Sequence, residues 1–119
     1  MKKLILILFL SFIYSNIFGI IQHEIDSIKA GIKTEKNDST LIKFYLDLST
    51  KYTQENNDSA LLYAEKAFTL SNEKSFKKET VIALSRIGLI QFNLGNLPLA
   101  LNFYNQSLIQ AKEINYSFS

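Results

Sequence analysis

Apolar residues recur at helical spacing through most of this 119-residue chain, and this periodicity limits the fold more than any other feature. Five stretches place apolar side chains at positions i, i+3, i+4 and i+7, the spacing that gives a helix one buried face. They cover residues 21–32, 41–52, 60–68, 81–92 and 97–111. No long stretch alternates with a period of two, as a half-buried strand would. The sequence therefore predicts an all-α fold.

Polar residues precede the second and third stretches, where a helix N-terminus needs hydrogen-bond acceptors. Asp38 and Ser39 stand before one stretch, and Asp58 and Ser59 stand before the other. A side-chain oxygen at such a position accepts a hydrogen bond from a free N–H of the first helical turn. We therefore predict that these residues cap two helices.

The segment LGNLPLA, residues 94–100, contains a glycine and the only proline of the chain. Gly95 suits the left-handed conformation that ends a helix, and Asn96 suits the N-cap of the next one. Pro98 then falls in a first helical turn, where its missing N–H costs nothing. We predict antiparallel helix pairs at 39–54 with 58–73 and at 79–94 with 97–113, and a further helix near 21–36.

The first nineteen residues, MKKLILILFLSFIYSNIFG, have the pattern of a secretory signal peptide. Two lysines precede an apolar run over residues 4–13, and small or polar residues follow it. The run is shorter than the roughly 20 residues that span a bilayer. Cleavage after Ser15 or Gly19 fits this pattern. The alternative is an uncleaved membrane anchor over residues 4–21, and in either case the rest of the chain is exported.

Composition excludes several classes of protein. The chain has no cysteine, so it has neither disulfides nor thiolate metal sites. Its net charge is +2, and Lys2 and Lys3 account for this excess of basic residues. Nucleic-acid binding needs a clustered basic face, and only Lys74, Lys77 and Lys78 cluster, between two predicted helices. We expect no nucleic-acid binding by this segment.

Two parts of the chain are similar to each other. SALLYAEKAFTLS, residues 59–71, aligns with LALNFYNQSLIQA, residues 99–111, so that Ala60 is matched with Ala100. Upstream, FYLDLSTKY at 44–52 aligns with LSRIGLIQF at 84–92 at the same offset. A helix-turn-helix unit that repeats at this scale is typical of an α-solenoid.

The repeated unit resembles the tetratricopeptide repeat, whose pattern is W-x2-L-G-x2-Y followed by A-x3-F. In the second copy the matching residues are Leu84, Ile87, Gly88, Ala100 and Tyr104, and Gln91 replaces the expected tyrosine. In the looser first copy they are Phe44, Asp47, Leu48, Ala60 and Ala64. The resemblance covers about residues 38–114 and implies small residues where the two helices of each repeat cross.

The order of segments also resembles the exported N-terminal region of Bacteroidetes-type sensor proteins, in which tetratricopeptide repeats precede a membrane helix and a histidine kinase or helix-turn-helix regulator. This resemblance implies a non-enzymatic protein-protein interaction scaffold in signal transduction. The alternative is a purely structural or non-functional fragment of a longer repeat gene. The expected organisation is a signal peptide at 1–19, a helix at 20–37, repeats at 38–78 and 79–114, and the start of a truncated repeat at 115–119.

No residues predict a catalytic, cofactor or metal site. His23 is the only histidine, and it stands beside Glu24 without a second metal ligand or a positioned nucleophile. The four glycines are too scattered to form a phosphate-binding loop. Three Asp-Ser segments resemble the Bacteroidetes O-glycosylation sequon and make Ser39 and Ser59 candidate sites, with helix capping as the alternative role.

The resemblance further implies that the first helix of each repeat lines a groove for a protein or peptide. Carried over by position, the lining residues are Tyr45, Ser49, Tyr52, Ser85, Leu89, Phe92 and Asn93. Packing between the helices is the alternative role for Tyr52 and Phe92.

The C-terminal end is expected to expose apolar side chains. Nothing comparable to the helix at 20–37 covers the last repeat, so Leu101, Leu108, Tyr116 and Phe118 are candidates for an exposed patch. Patches of this kind promote association. We expect the exported chain to self-associate through this end, and we expect membrane contact only through the signal segment if it stays uncleaved.

Overall fold

The computed structural model describes residues 1–115, which form helices joined by short turns. Within these residues there are five α-helices and no strand. They are α1 (Lys2–Thr34), α2 (Asp38–Tyr52), α3 (Asn57–Glu73), α4 (Lys77–Asn93) and α5 (Leu97–Glu113). The all-α prediction is therefore confirmed, and the four helices of the two predicted pairs end within two residues of their predicted bounds.

The first helix is much longer than the sequence predicted. It begins at Lys2 instead of near residue 21, because Gly19 alone does not interrupt an apolar helix. Every residue from 1 to 20 is exposed. By length and composition this helix could cross a membrane, and none of its apolar window is buried against the rest of the chain. It is compatible with a signal sequence or with a membrane anchor.

The helices α2 and α3 pack antiparallel along their length. Near the turn that joins them, the Ser49 hydroxyl donates a hydrogen bond of 2.8 Å to the Ala60 carbonyl. At the far end, Ile42 and Ala67 belong to one buried cluster. Residues early in α2 therefore meet residues late in α3, as two helices joined by a short turn require.

The pairs α3–α4 and α4–α5 have the same antiparallel arrangement. Ala64 of α3 and Ile87 of α4 share a buried cluster. The Ser107 hydroxyl of α5 donates to the Val81 carbonyl of α4 over 3.1 Å. The core forms between consecutive helices, and α2 additionally contacts α4. Each helix thus packs mainly on its neighbours in the chain.

Only the second half of α1 joins this packing. Ile25 is fully buried, and Glu24 forms an ion pair with Lys51 of α2. The Lys29 ammonium lies 5.3 Å from the centroid of the Tyr52 ring. A hydrogen bond with the Tyr52 side chain raises the pKa of Lys29 above its ordinary value, and this effect outweighs the opposing effect of burial. The free half of α1 extends the molecule to 60 Å.

The helix caps differ from the prediction by one residue. The Asn37 and Asn56 side chains accept hydrogen bonds from the Thr40 and Ser59 N–H groups, so these asparagines are the N-caps of α2 and α3. Asp38 and Asp58 instead occupy the first turns, where a carboxylate is stabilised by the helix dipole. In each helix the asparagine that precedes the predicted aspartate caps the free N–H groups of the first turn.

The predicted turn at Gly95 is present. Gly95 has a φ of 83°, in the left-handed region that favours glycine, and Pro98 lies in the first turn of α5. Asn96 precedes α5 as predicted, but its side chain donates to the Gln91 side chain at 2.8 Å instead of capping the helix. The turn is therefore held by a contact that returns to α4.

Candidate functional site

Two helix crossings repeat along the chain, and they establish which residues are equivalent. In the first, the Ser49 hydroxyl contacts the Ala60 carbonyl. In the second, a β-carbon on Gly88 would lie 3.3 Å from the Ala100 carbonyl. Ala60 is thus equivalent to Ala100, as the sequence alignment has it, but Ser49 is equivalent to Gly88. Equivalent residues are therefore 39 positions apart between α2 and α4, and 40 positions apart between α3 and α5.

The difference of one residue arises between the crossing and the next helix, because Ser49 precedes Ala60 by 11 residues and Gly88 precedes Ala100 by 12. After its crossing residue, α2 continues for three residues and α4 for five. The turn between α2 and α3 has four residues, 53–56, and the turn between α4 and α5 has three, 94–96. The sequence alignment used a single offset for both helices and matched Leu48 with Gly88, so its register in α2 is corrected by one. One residue turns a helical face by about 100°. Positions predicted to face a groove in α2 consequently face elsewhere.

The three groove residues predicted in α2 are buried or stacked against other helices. Ser49 is fully buried at the crossing. Tyr45 and Tyr52 stack on Tyr63 of α3, with ring centroids 6.3 Å and 5.9 Å apart. These tyrosines therefore pack between helices, which was the alternative role for Tyr52.

A hollow of about 340 Å³ lies between α2 and α4. Its lining combines charged, hydroxyl and aliphatic side chains. They are Ser39, Thr40, Lys43, Leu46 and Asp47 of α2, and Lys78, Glu79 and Ile82 of α4.

A second hollow of about 240 Å³ continues from the first across α4 to α5, because Ile82 lines both. Its other lining residues are Ser85, Arg86, Leu89 and Tyr104. The two hollows together are called the groove below. Of the predicted site residues, the structure places Ser85 and Leu89 in this lining. Phe92 and Asn93 are exposed at the end of α4 and line neither hollow.

The groove repeats itself in the corrected register. When Ser49 is matched with Gly88, the α2 positions in the lining match α4 positions in the lining. The matching pairs are Lys43 with Ile82, Leu46 with Ser85, and Asp47 with Arg86. The sequence analysis missed Lys43, Leu46 and Asp47. The sequence does contain a pattern that indicates the corrected register. A large, an aliphatic and a small residue occur in the same order as Tyr45-x2-Leu48-Ser49 in one copy and Leu84-x2-Ile87-Gly88 in the other.

The groove combines an apolar floor with charges of both signs. Leu46, Ile82 and Leu89 provide the apolar surface. Arg86, the only arginine of the chain, is half-buried beside Leu89 and forms no ion pair within residues 1–115. A half-buried guanidinium binds a carboxylate well, since it presents several donors and is weakly hydrated. This surface suits a peptide with an aliphatic side chain and a nearby acidic group.

The part of the chain that the structure describes holds no cluster of candidate metal ligands. Among residues 1–115, no group of three His, Cys, Asp or Glu side chains could hold a metal ion. His23 is exposed on α1 and lines neither hollow of the groove. Comparison with known proteins gives no match: no family model, no curated protein and no solved structure matches this chain.

Proposed function

We propose that this chain is a non-enzymatic scaffold that binds a protein or peptide in the groove, and that its two helix pairs form an α-solenoid of the tetratricopeptide type. The observation behind this proposal is the repetition of the groove from α2 to α4 in the corrected register. Repeated surfaces of stacked helix pairs form the extended binding faces of solenoid proteins.

The corrected register supports the tetratricopeptide part of the proposal. The first copy now follows the W-x2-L-G-x2-Y pattern with an aromatic, an aliphatic, a small and a second aromatic residue. These residues are Tyr45, Leu48, Ser49 and Tyr52, and the second copy has Leu84, Ile87, Gly88 and Gln91. Both small residues lie where two helices cross, which is the physical purpose of a small residue at that position.

The long apolar helix supports a role outside the cytoplasm. We infer that the first half of α1 acts as a signal sequence or anchor and that the helical pairs are exported. Two of its polar side chains bond to the helix itself: Ser15 donates to the Ser11 carbonyl at 3.0 Å, and Asn16 donates to the Phe12 carbonyl at 2.8 Å. Such bonds lower the cost of placing polar groups in a bilayer. An exported binding scaffold of this kind suits the sensory part of a signal-transduction protein.

Peptide selection by display against the full chain tests the groove. We expect selected peptides to pair an aliphatic with an acidic residue. Arg86→Glu and Leu89→Asp should each weaken their binding at least about tenfold, or about 1.4 kcal/mol, because each replaces a contact at the centre of the surface. The matched control is Leu62→Asp, since Leu62 lies on α3, outside the groove, and is 48% exposed against 37% for Leu89.

Binding constants measured by isothermal titration separate the outcomes. Loss of affinity in the groove variants with retained affinity in Leu62→Asp supports the proposal. Equal affinity in all three variants would place the peptides elsewhere. If no selected peptide depends on the groove, the chain is better described as purely structural, the alternative inferred from the sequence.

A further inference from the structure

The free half of α1 and the α4–α5 turn lie toward the same end of the molecule. The ion pair between Glu24 and Lys51 and the contact between Gly31 and Phe44 show that α2 runs antiparallel to α1. The end of α2 at Tyr52 therefore points along the free half of α1. Since α3 reverses the direction and α4 reverses it again, α4 also ends on that side.

The α4–α5 turn presents a concentrated apolar surface at this end. No Asp, Glu, Lys or Arg occurs from residue 87 to residue 111. Four large side chains around the turn are exposed, among them Phe92 at 56% and Leu97 at 53%. The other two are Leu94 and Leu99. The neighbouring α2–α3 turn contains Glu55, and Asp58 follows in the first turn of α3, so the apolar surface belongs to the second turn alone.

The backbone of this turn is internally hydrogen-bonded. The Leu94, Gly95 and Asn96 N–H groups bond to the carbonyls of Ile90, Phe92 and Gln91 over 3.0, 3.0 and 2.9 Å. Unpaired backbone groups are what usually keeps a turn out of an apolar medium. These three N–H groups are therefore not left unpaired when the turn contacts lipid.

The opposite end of the molecule is highly charged. Charged residues flank both turns there and the end of α5. They are Lys33, Glu35, Lys36, Asp38, Glu73, Lys74, Lys77, Lys78, Glu79, Lys112 and Glu113. One end of the molecule is therefore suited to water. At the other end, the exposed apolar α4–α5 turn lies on the same side as the apolar free half of α1.

We propose that the α4–α5 turn rests in the interface of the same lipid bilayer that holds the free half of α1, an inference that rests on the anchor role proposed for that half. The turn lies about two helix spacings, on the order of 20 Å, from α1, because α2 contacts both α1 and α4. Phe92, Leu94, Leu97 and Leu99 enter the boundary between headgroups and acyl chains, and Asn93 and Asn96 remain among the headgroups. This second contact holds the groove at a defined height and orientation above the membrane.

Site-specific fluorescence on the full chain tests this contact. Because the chain has no cysteine, a single Leu97→Cys variant takes a polarity-sensitive label at one site. The protein is reconstituted in phosphatidylethanolamine and phosphatidylglycerol vesicles with nitroxide-labelled lipids. We expect blue-shifted emission and lipid quenching at position 97. A label at Phe9→Cys is the positive control, and Ile109→Cys, exposed near the charged end of the same helix, is the negative control.

Each outcome is decisive. Quenching at positions 97 and 9 but not at 109 supports the proposal. Emission at position 97 that matches position 109, with quenching retained at position 9, overturns it. A blue shift at position 97 without lipid quenching means that a protein surface covers the turn, and this also overturns it. Circular dichroism of each variant checks that the helices are intact.

Discussion

Small residues at two helix crossings set the distance between paired helices. A β-carbon on Gly88 would lie 3.1 Å from the Tyr104 ring and 3.3 Å from the Ala100 carbonyl, which is tighter than ordinary van der Waals contact. The serine equivalent to Gly88 uses the same closeness for a buried hydrogen bond to Ala60. Size at these positions therefore matters more than polarity.

Replacing Gly88 with leucine should separate α4 from α5. We expect the free energy of unfolding to fall by about 1–3 kcal/mol, the usual cost of overpacking a well-packed site. Urea unfolding followed by circular dichroism measures this change. Gly19→Leu is the control, because no atom lies within 4 Å of a β-carbon there. Equal stability of the Gly88→Leu variant and the unmodified chain would mean that the crossing is not at Gly88.

At the scale of the element, local sequence determines where α2, α3 and α5 begin. Asn37 and Asn56 cap α2 and α3, whereas α5 starts after a glycine turn with a proline in its first turn. The observed caps bear on the two roles predicted for Ser39 and Ser59, which were helix capping and O-glycosylation. The aspartates lie inside the helices, so Ser39 and Ser59 are first-turn residues and neither is an N-cap.

Asn56→Ala should destabilise α3 more than Ser59→Ala. The first change removes the acceptor for the Ser59 N–H, a bond of 3.0 Å, at a cost of about 0.5–2 kcal/mol. The second leaves that bond in place, and we expect a change within about 0.5 kcal/mol. Thermal unfolding of both variants checks the order. The reverse order would move the cap to Ser59, one of the two residues that the sequence predicted to cap this helix.

At the scale of the whole molecule, consecutive helices cover one another, and the outer face of α5 stays uncovered within the described residues. Leu101 is 62% exposed, and Leu108, two turns later on the same face, is also exposed. The expectation that these two leucines are exposed is confirmed. The other two members of that predicted patch, Tyr116 and Phe118, lie outside the described residues.

This face should promote self-association when the chain starts at residue 20 and lacks the free half of α1. We expect sedimentation to show a concentration-dependent dimer, and Leu101→Lys with Leu108→Lys should shift it to monomer, since charge on an apolar face opposes burial. Leu62→Lys on α3 is the matched control. A monomer at all concentrations before any substitution would refute the prediction.

Local features of the sequence were sufficient for much of this fold. Apolar spacing predicted the helices, Gly95 and Pro98 predicted the last turn, and the missing charges of the last hairpin are visible in the sequence itself. These features depend on residues within one or two turns of each other. Ser85 and Leu89, two of the predicted groove residues, line the hollow beside α4, and Gly88 marks the crossing face of that helix.

Tertiary structure alone decided the register of α2 and the direction of the apolar surfaces. The crossing lies three residues before the end of α2 but five before the end of α4, and a shift of one residue turns the face of α2 by about 100°. The contact between Ser49 and Ala60 shows this register directly. The alignment of the α4–α5 turn with the free half of α1 likewise follows from three successive reversals of direction. Both features depend on contacts between residues far apart in the chain, and the repeat pattern alone accepts either Phe44 or Tyr45 as its first aromatic residue without selecting between them.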